Sequence, residues 1–177
     1  MKKSLLTLLF LAFLTACGSS KSGINEDDLA IVKVDNEKEI VKYGMSQEEA
    51  EKILGTGKKT TTFSTYSSGI SIMYRDGAVV CIFIDEESKG KYKTIQGAEV
   101  GMSKKELIDL YGETGAFSLS EIQLDYVYDS TNKKYLTIDE QSSNNDLKSY
   151  QVSVRFKMDG GARLISLLDR QSAMLGR

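Results

Sequence analysis

The sequence predicts an α+β fold: two tandem units, each a short helix followed by an antiparallel meander, joined into one larger sheet with the short helices on one face. Three observations predict it. A helix-start motif occurs twice, as Gly44-Met-Ser-Gln-Glu-Glu-Ala-Glu-Lys-Ile-Leu-Gly55 and Gly101-Met-Ser-Lys-Lys-Glu-Leu-Ile-Asp-Leu-Tyr-Gly112, and internal repetition signals a repeated structural unit. β-prone runs separated by turn residues follow both copies. Within the last of these runs apolar and polar residues alternate, the period of a half-buried strand.

The chain opens with Lys2 and Lys3, then an apolar stretch from Leu5 to Phe13 broken only by Thr7. That run falls short of the roughly 18 residues of a membrane-spanning helix and has the regional order of a secretory signal. Leu14-Thr15-Ala16-Cys17 closes it, and this spacing resembles the lipobox of bacterial lipoproteins. The resemblance implies a signal peptide over residues 1–16, cleavage before Cys17, and multiple acylation of the Cys17 thiol. The product would be lipid-anchored in the cell membrane and face outside the cytoplasm. Residues 17–28, mostly polar, read as the lipidated cysteine and a flexible tether.

Residues 29–95 form the first expected unit and residues 96–177 the second. In each motif copy the serine, Ser46 or Ser103, suits the helix N-cap, where its hydroxyl accepts a bond from an otherwise unpaired backbone N–H. Glu49 and Glu106, three residues later, complete a capping box. Ala50, Ile53 and Leu54 match Leu107, Leu110 and Tyr111 as one apolar stripe, with Met45 and Met102 stapling back onto it. Gly55 and Gly112 are expected as left-handed C-caps.

Strands are expected over Thr60 to Tyr66, Ile70 to Tyr74 and Val79 to Ile84 in the first unit, with a hairpin turn at Asp76-Gly77. The second unit offers Ile122 to Tyr128, Tyr135 to Ile138, Tyr150 to Met158 and Arg163 to Leu168, with a polar loop at Gln141 to Asp146. Alternation assigns faces. Tyr150, Val152, Val154, Phe156 and Met158 point to the helices; Gln151, Ser153, Arg155 and Lys157 point to an open sheet surface. Leu124, Tyr126 and Tyr128 share one face, while Gln123, Asp125 and Asp129 lie on the other. Cys81 reads as a small apolar residue inside a buried strand.

The Gly-Met-Ser-x-x-Glu motif ahead of a meander, in a lipoprotein, resembles the SmpA/OmlA family of β-barrel assembly components. It is similar also to the tandem-repeat β-lactamase inhibitor proteins, in which two such units join into one concave sheet. The shared residues are Gly44, Met45, Ser46, Leu54 and Gly55, with Gly101, Met102, Ser103 and Gly112. The proline that commonly follows the helix in that family is replaced here by Thr56-Gly57 and Glu113-Thr114. The matched positions are caps and turns, so the resemblance implies a protein-binding scaffold and names no partner.

Composition narrows the chemistry. The formal charge is −2, with 23 basic and 25 acidic residues, which argues against nucleic acid as a partner. Histidine is absent, which removes Ser-His-Asp and Cys-His nucleophile systems and imidazole metal sites. The acidic clusters lack calcium-loop spacing, and no cofactor, metal site or enzyme activity is expected. Three functions compete. The leading one is a lipid-anchored extracytoplasmic interaction module, inhibitor-like or an assembly scaffold. It would bind an envelope or secreted protein through the open sheet face, at Gln151, Ser153, Arg155 and Lys157. The second is a small-ligand sensor or carrier using a groove between the units. The third is a carboxylate enzyme, which needs two acids converging in a cleft, Asp125 with Asp139 being one such pair.

Overall fold

A computed structural model of the chain describes residues 23–118, 120–143 and 148–175. The expected signal peptide, the lipidated Cys17 and the first part of the tether lie outside the described residues. Among the described residues the fold is mixed α+β with antiparallel sheets and four short α-helices. A small sheet contains β1 (Ala30–Lys33), β2 (Ile40–Lys42) and β7 (Tyr92–Thr94) in the order β2-β1-β7. A large one contains β3 (Lys58–Lys59), β4 (Ser64–Tyr66), β5 (Ile70–Arg75), β6 (Ala78–Asp85), β8 (Gln123–Asp129), β9 (Lys134–Tyr135), β10 (Ser149–Phe156) and β11 (Ala162–Asp169). Its order is β3-β4-β5-β6-β11-β10-β8-β9, so the β5–β6 and β10–β11 hairpins meet at the centre through β6 and β11.

Local chemistry explains the helices α1 (Gln47–Leu54) and α2 (Lys104–Tyr111). Ser46 and Ser103 accept from the backbone N–H of Glu49 and Glu106, whose carboxylates accept from the serine backbone, so both capping boxes form. The glycines at the other end differ from expectation. Gly55 (φ 83°, ψ −172°) and Gly112 (φ 91°, ψ 159°) combine positive φ with an extended ψ, a region still more restricted to glycine than the left-handed helical one. Each loop ahead of a helix also docks on a hairpin. Ser46 bridges Ala78 at the start of β6, and Ser103 bridges Gly161 just before β11. The β5–β6 turn is tight, with φ 52° at Asp76 and 79° at Gly77, as expected of Asp-Gly in a primed hairpin turn.

Both hairpins contain a bulge. Met73 pairs with Cys81 and Tyr74 with Val79, leaving Val80 as the extra residue. Arg155 pairs with Leu164 and Phe156 with Ala162, leaving Arg163. The core lies on the side of the large sheet where Ile72, Ile82, Ile165, Leu167, Val152, Val154, Leu124 and Tyr126 are buried together with Ala50, Leu54 and Leu107 of the helices. Ile31, Val41 and Tyr92 of the small sheet join the same cluster. Tyr126 fastens α2 to it by donating from its hydroxyl to the Gly112 carbonyl at 2.8 Å. Cys81 is buried in β6 as expected.

Four further expectations need correction. The tether does not extend to Asp28: Ile24 is buried, and Asn25 caps a 3-10 turn over Glu26–Asp28. Glu26 bonds the Tyr150 hydroxyl there, and Gln96 bonds Asp28. The segment expected as a polar loop begins as a helix, α3 (Ile138–Ser143), while residues 144–147 lie outside the described residues. Thr137 and Glu140 exchange capping bonds at its start. The helices are not confined to one face. The final helix α4 (Arg170–Leu175) places Ala173 against Met73, Val80, Cys81 and Leu168 on the far side of the large sheet. Arg170, buried, donates to the Gln141 carbonyl and so links α4 to α3. Last, β10 ends at Phe156, so Met158 lies in the turn, 93% exposed, and not on the core face.

Candidate functional site

The far side of the large sheet, here the outer face, is built from strand register. One row across it runs Ser71–Phe83–Ser166–Ser153–Asp125 through β5, β6, β11, β10 and β8. At the usual strand spacing such a row is about 19 Å long. On one side of it Met73–Cys81–Leu168–Gln151–Val127 forms the row over which α4 packs. On the other side Asp85–Leu164–Arg155–Gln123 forms the row nearest the β10–β11 turn. Hydroxyls thus occupy the middle of the face, with Phe83 set among them and stacked edge-on by Phe63 at 5.2 Å.

The four residues expected on this surface separate. Gln151 and Ser153 are half-buried and lie in neighbouring rows. Gln151 donates to Asp125 Oδ1 at 3.4 Å, and Gln123 bonds the other oxygen of the same carboxylate. Arg155 is exposed, and among the described residues no ion-pair partner is found for it. Lys157 leaves the face: it follows the end of β10 and pairs with Glu86, which keeps its ammonium pKa above the ordinary lysine value. Arg163, not singled out in the sequence, takes its place as the second exposed cation of the outer face. The bulge is the reason. Simple alternation from Ile165 and Leu167 would send Arg163 to the core side, and only the extra residue in β11 shifts the count.

The remaining candidate groups are accounted for by structure. Burial raises the Cys81 thiol pKa well above the ordinary range, which leaves it a poor nucleophile. Asp125 and Asp139 do not sit on facing strands: Asp125 is 2% exposed in β8, and Asp139 lies exposed on α3. No family model, curated protein or solved structure matches this chain.

A cavity of about 190 Å3 opens between Glu86 and Lys89 on one side and Gly101, Lys157, Asp159 and Gly161 on the other. It is smaller than the roughly 300–1,000 Å3 of most small-molecule sites, and charged side chains line it where such sites are mainly apolar. A separate polar cluster ties the C-terminal segment down. Asp169, 2% exposed, accepts from Arg75 Nη1 at 2.8 Å, from the Tyr43 hydroxyl at 2.9 Å and from the Ser172 backbone N–H at 2.7 Å. Burial opposes ionisation of this carboxyl, but the bonds from Arg75 and Ser172 outweigh it and hold its pKa below the ordinary aspartate value.

Proposed function

We propose that this chain is a lipid-anchored extracytoplasmic interaction module that binds a protein partner through the outer face of its large sheet. The observation that carries the reading is the outer face itself. It is a surface about 19 Å across with half-buried Ser71 and Ser153 and buried Ser166 in its middle row, a half-buried aromatic and aliphatic pair in Phe83 and Leu164, and exposed arginine at its edge. Such a mixture of apolar anchor, hydrogen-bonding group and arginine suits a protein interface. The charged cavity gives little support to a small-ligand carrier.

The tandem architecture belongs to the same proposal. α1 with β3 to β6, and α2 with β8 to β11, are read as two copies of one unit. Both copies have the same capping box, the same bridge from the cap serine to the hairpin, and a bulge at the same place in that hairpin. The small sheet, α3 and α4 are additions to the repeat. The anchor is Cys17, and the stretch from Cys17 to Gly23 spans at most about 20 Å. Gly23 packs on the Tyr128 ring so closely that a Cβ would stand 2.0 Å from it. The described chain therefore starts at the Tyr128–Tyr150 end of the strands, and that end faces the membrane.

Two variants test the reading. Cys17→Ala should abolish lipid labelling and leave the precursor uncleaved; continued labelling would remove the anchor. Ser153→Lys fills the centre of the outer face with a chain long enough to reach solvent. It should weaken capture of a membrane-derived partner while leaving the melting temperature within a few degrees. Capture that survives Ser153→Lys, but is lost on changing Gln47, Glu51, Lys104 or Lys105 on the helices, would place the interface on the opposite side.

A further inference from the structure

Comparing the two hairpins position by position shows what differs between them. In the first, the extra bulge residue Val80 and its neighbour Cys81 are buried in the cluster on which Ala173 of α4 packs. In the second, the equivalent pair is Arg163 and Leu164, and among the described residues no helix covers it: Arg163 is exposed and Leu164 half-buried. Arg155 lies directly across the strand pair from Leu164. Ile122, 45% exposed, stands one residue before Gln123, the β8 partner of Arg155, and the Phe156 N–H bonds the Ile122 carbonyl. At this corner Leu164 thus stands in one row between Arg155 and half-buried Asp85, whose Oδ1 already accepts from the Glu87 N–H, and the exposed bulge residue Arg163 is its chain neighbour. Among the described residues, neither arginine has a carboxylate within ion-pair distance, whereas Lys157 nearby is already paired with Glu86.

We propose that this corner, centred on Arg155, Arg163 and Leu164, docks an acidic segment of a protein partner: two carboxylates held by the arginines around one apolar side chain seated on Leu164. The proposal rests on the protein-binding reading above and adds the chemistry of the partner. Charge complementarity carries it. Guanidinium matches a carboxylate in two places at once, and among the described residues no carboxylate pairs with either group. Orientation favours a protein over a lipid headgroup. Arg155 lies five residues along β10 from Tyr150, about 17 Å, at the end of the sheet away from Gly23 and the anchor. An arginine pair serving the membrane to which the chain is tethered would sit at the near end.

The test uses the full chain in neutral detergent and a fluorescein-labelled dodecapeptide that alternates glutamate with leucine and serine. A second peptide has glutamine at every glutamate, and phosphatidylglycerol vesicles are the lipid probe. The expected result is saturable binding of the acidic peptide, at least tenfold weaker for the glutamine peptide. Arg155→Gln with Arg163→Gln should reduce it at least tenfold, while Lys58→Gln with Lys59→Gln at the far edge of the sheet should not. Both arginines are exposed, so an unchanged urea midpoint certifies the fold of the double variant. The proposal is overturned if the acidic peptide does not bind, if glutamine serves equally well, or if the double variant loses only vesicle association. Partner capture that is sensitive to Ser153→Lys but indifferent to both arginines would sink the acidic segment and leave the sheet-face reading intact.

Discussion

Asp169 joins three distant parts of the chain through one carboxylate: Tyr43 from the loop before α1, Arg75 from β5 and Ser172 from α4. Asp169→Asn would leave the Arg75 guanidinium without its counter-charge, at a cost of about 3 kcal/mol, read as a lowered urea midpoint at pH 7. Because the folded carboxyl titrates below its unfolded value, its stabilisation is complete above the ordinary aspartate range and disappears as pH falls through the folded value. The gap between wild type and Asp169→Asn should therefore narrow below about pH 4; a gap that stays constant to pH 3 contradicts the assignment. Ser46→Ala and Ser103→Ala should each cost about 0.5–2 kcal/mol, and Gly55→Ala about 1–3 kcal/mol from its positive φ. A loss of some activity in Ser103→Ala with unchanged stability would instead make that serine a nucleophile. The capping boxes were legible because Ser-x-x-Glu is a local pattern. The Asp169 cluster was not, because Tyr43, Arg75 and Asp169 meet only after the sheet has formed.

At the scale of elements, α4 acts as a cover for part of the outer face. Its Ala173 packs, with Tyr43, Phe63 and Phe83, on the cluster of Met73, Val80, Cys81 and Leu168, where the Cys81 thiol is 1% accessible. Cys81 should resist an aromatic disulfide reagent in the intact chain and react under native conditions once the chain is truncated after Asp169. Equal resistance in the truncated chain would show that α4 is not the cover. β10 and β11 were readable from alternation, since Tyr150, Val152, Val154 and Phe156 are all buried. Alternation failed at the bulge, where one extra residue moved Arg163 into the outer set and the turn took Lys157 out of it. It failed again at α3, whose Thr137-x-x-Glu140 box is the same signature that marked α1 and α2, placed after a short β-prone run. Strands β1, β2 and β7 are only three or four residues long, too short for a periodic signal, and the pairing that stabilises them joins residues far apart in sequence.

At the scale of the molecule, the large sheet separates two jobs. Its inner face is consumed by the core with α1, α2 and the small sheet. Its outer face keeps a row of hydroxyls and a corner of arginine away from the end where the described chain begins. In the arrangement proposed above, the short tether would hold the Tyr128–Tyr150 end toward the membrane and leave the arginine corner at the opposite end of the strands. In-cell photo-crosslinking tests this most directly. A photoreactive amino acid is placed singly at Arg155, Leu164 and Ser153 on the outer face, and at Gln47, Glu51 and Lys105 on the helices. The account predicts one common protein adduct from the three sheet positions and none from the helices. Adducts from the helix positions, with none from the sheet, would contradict it.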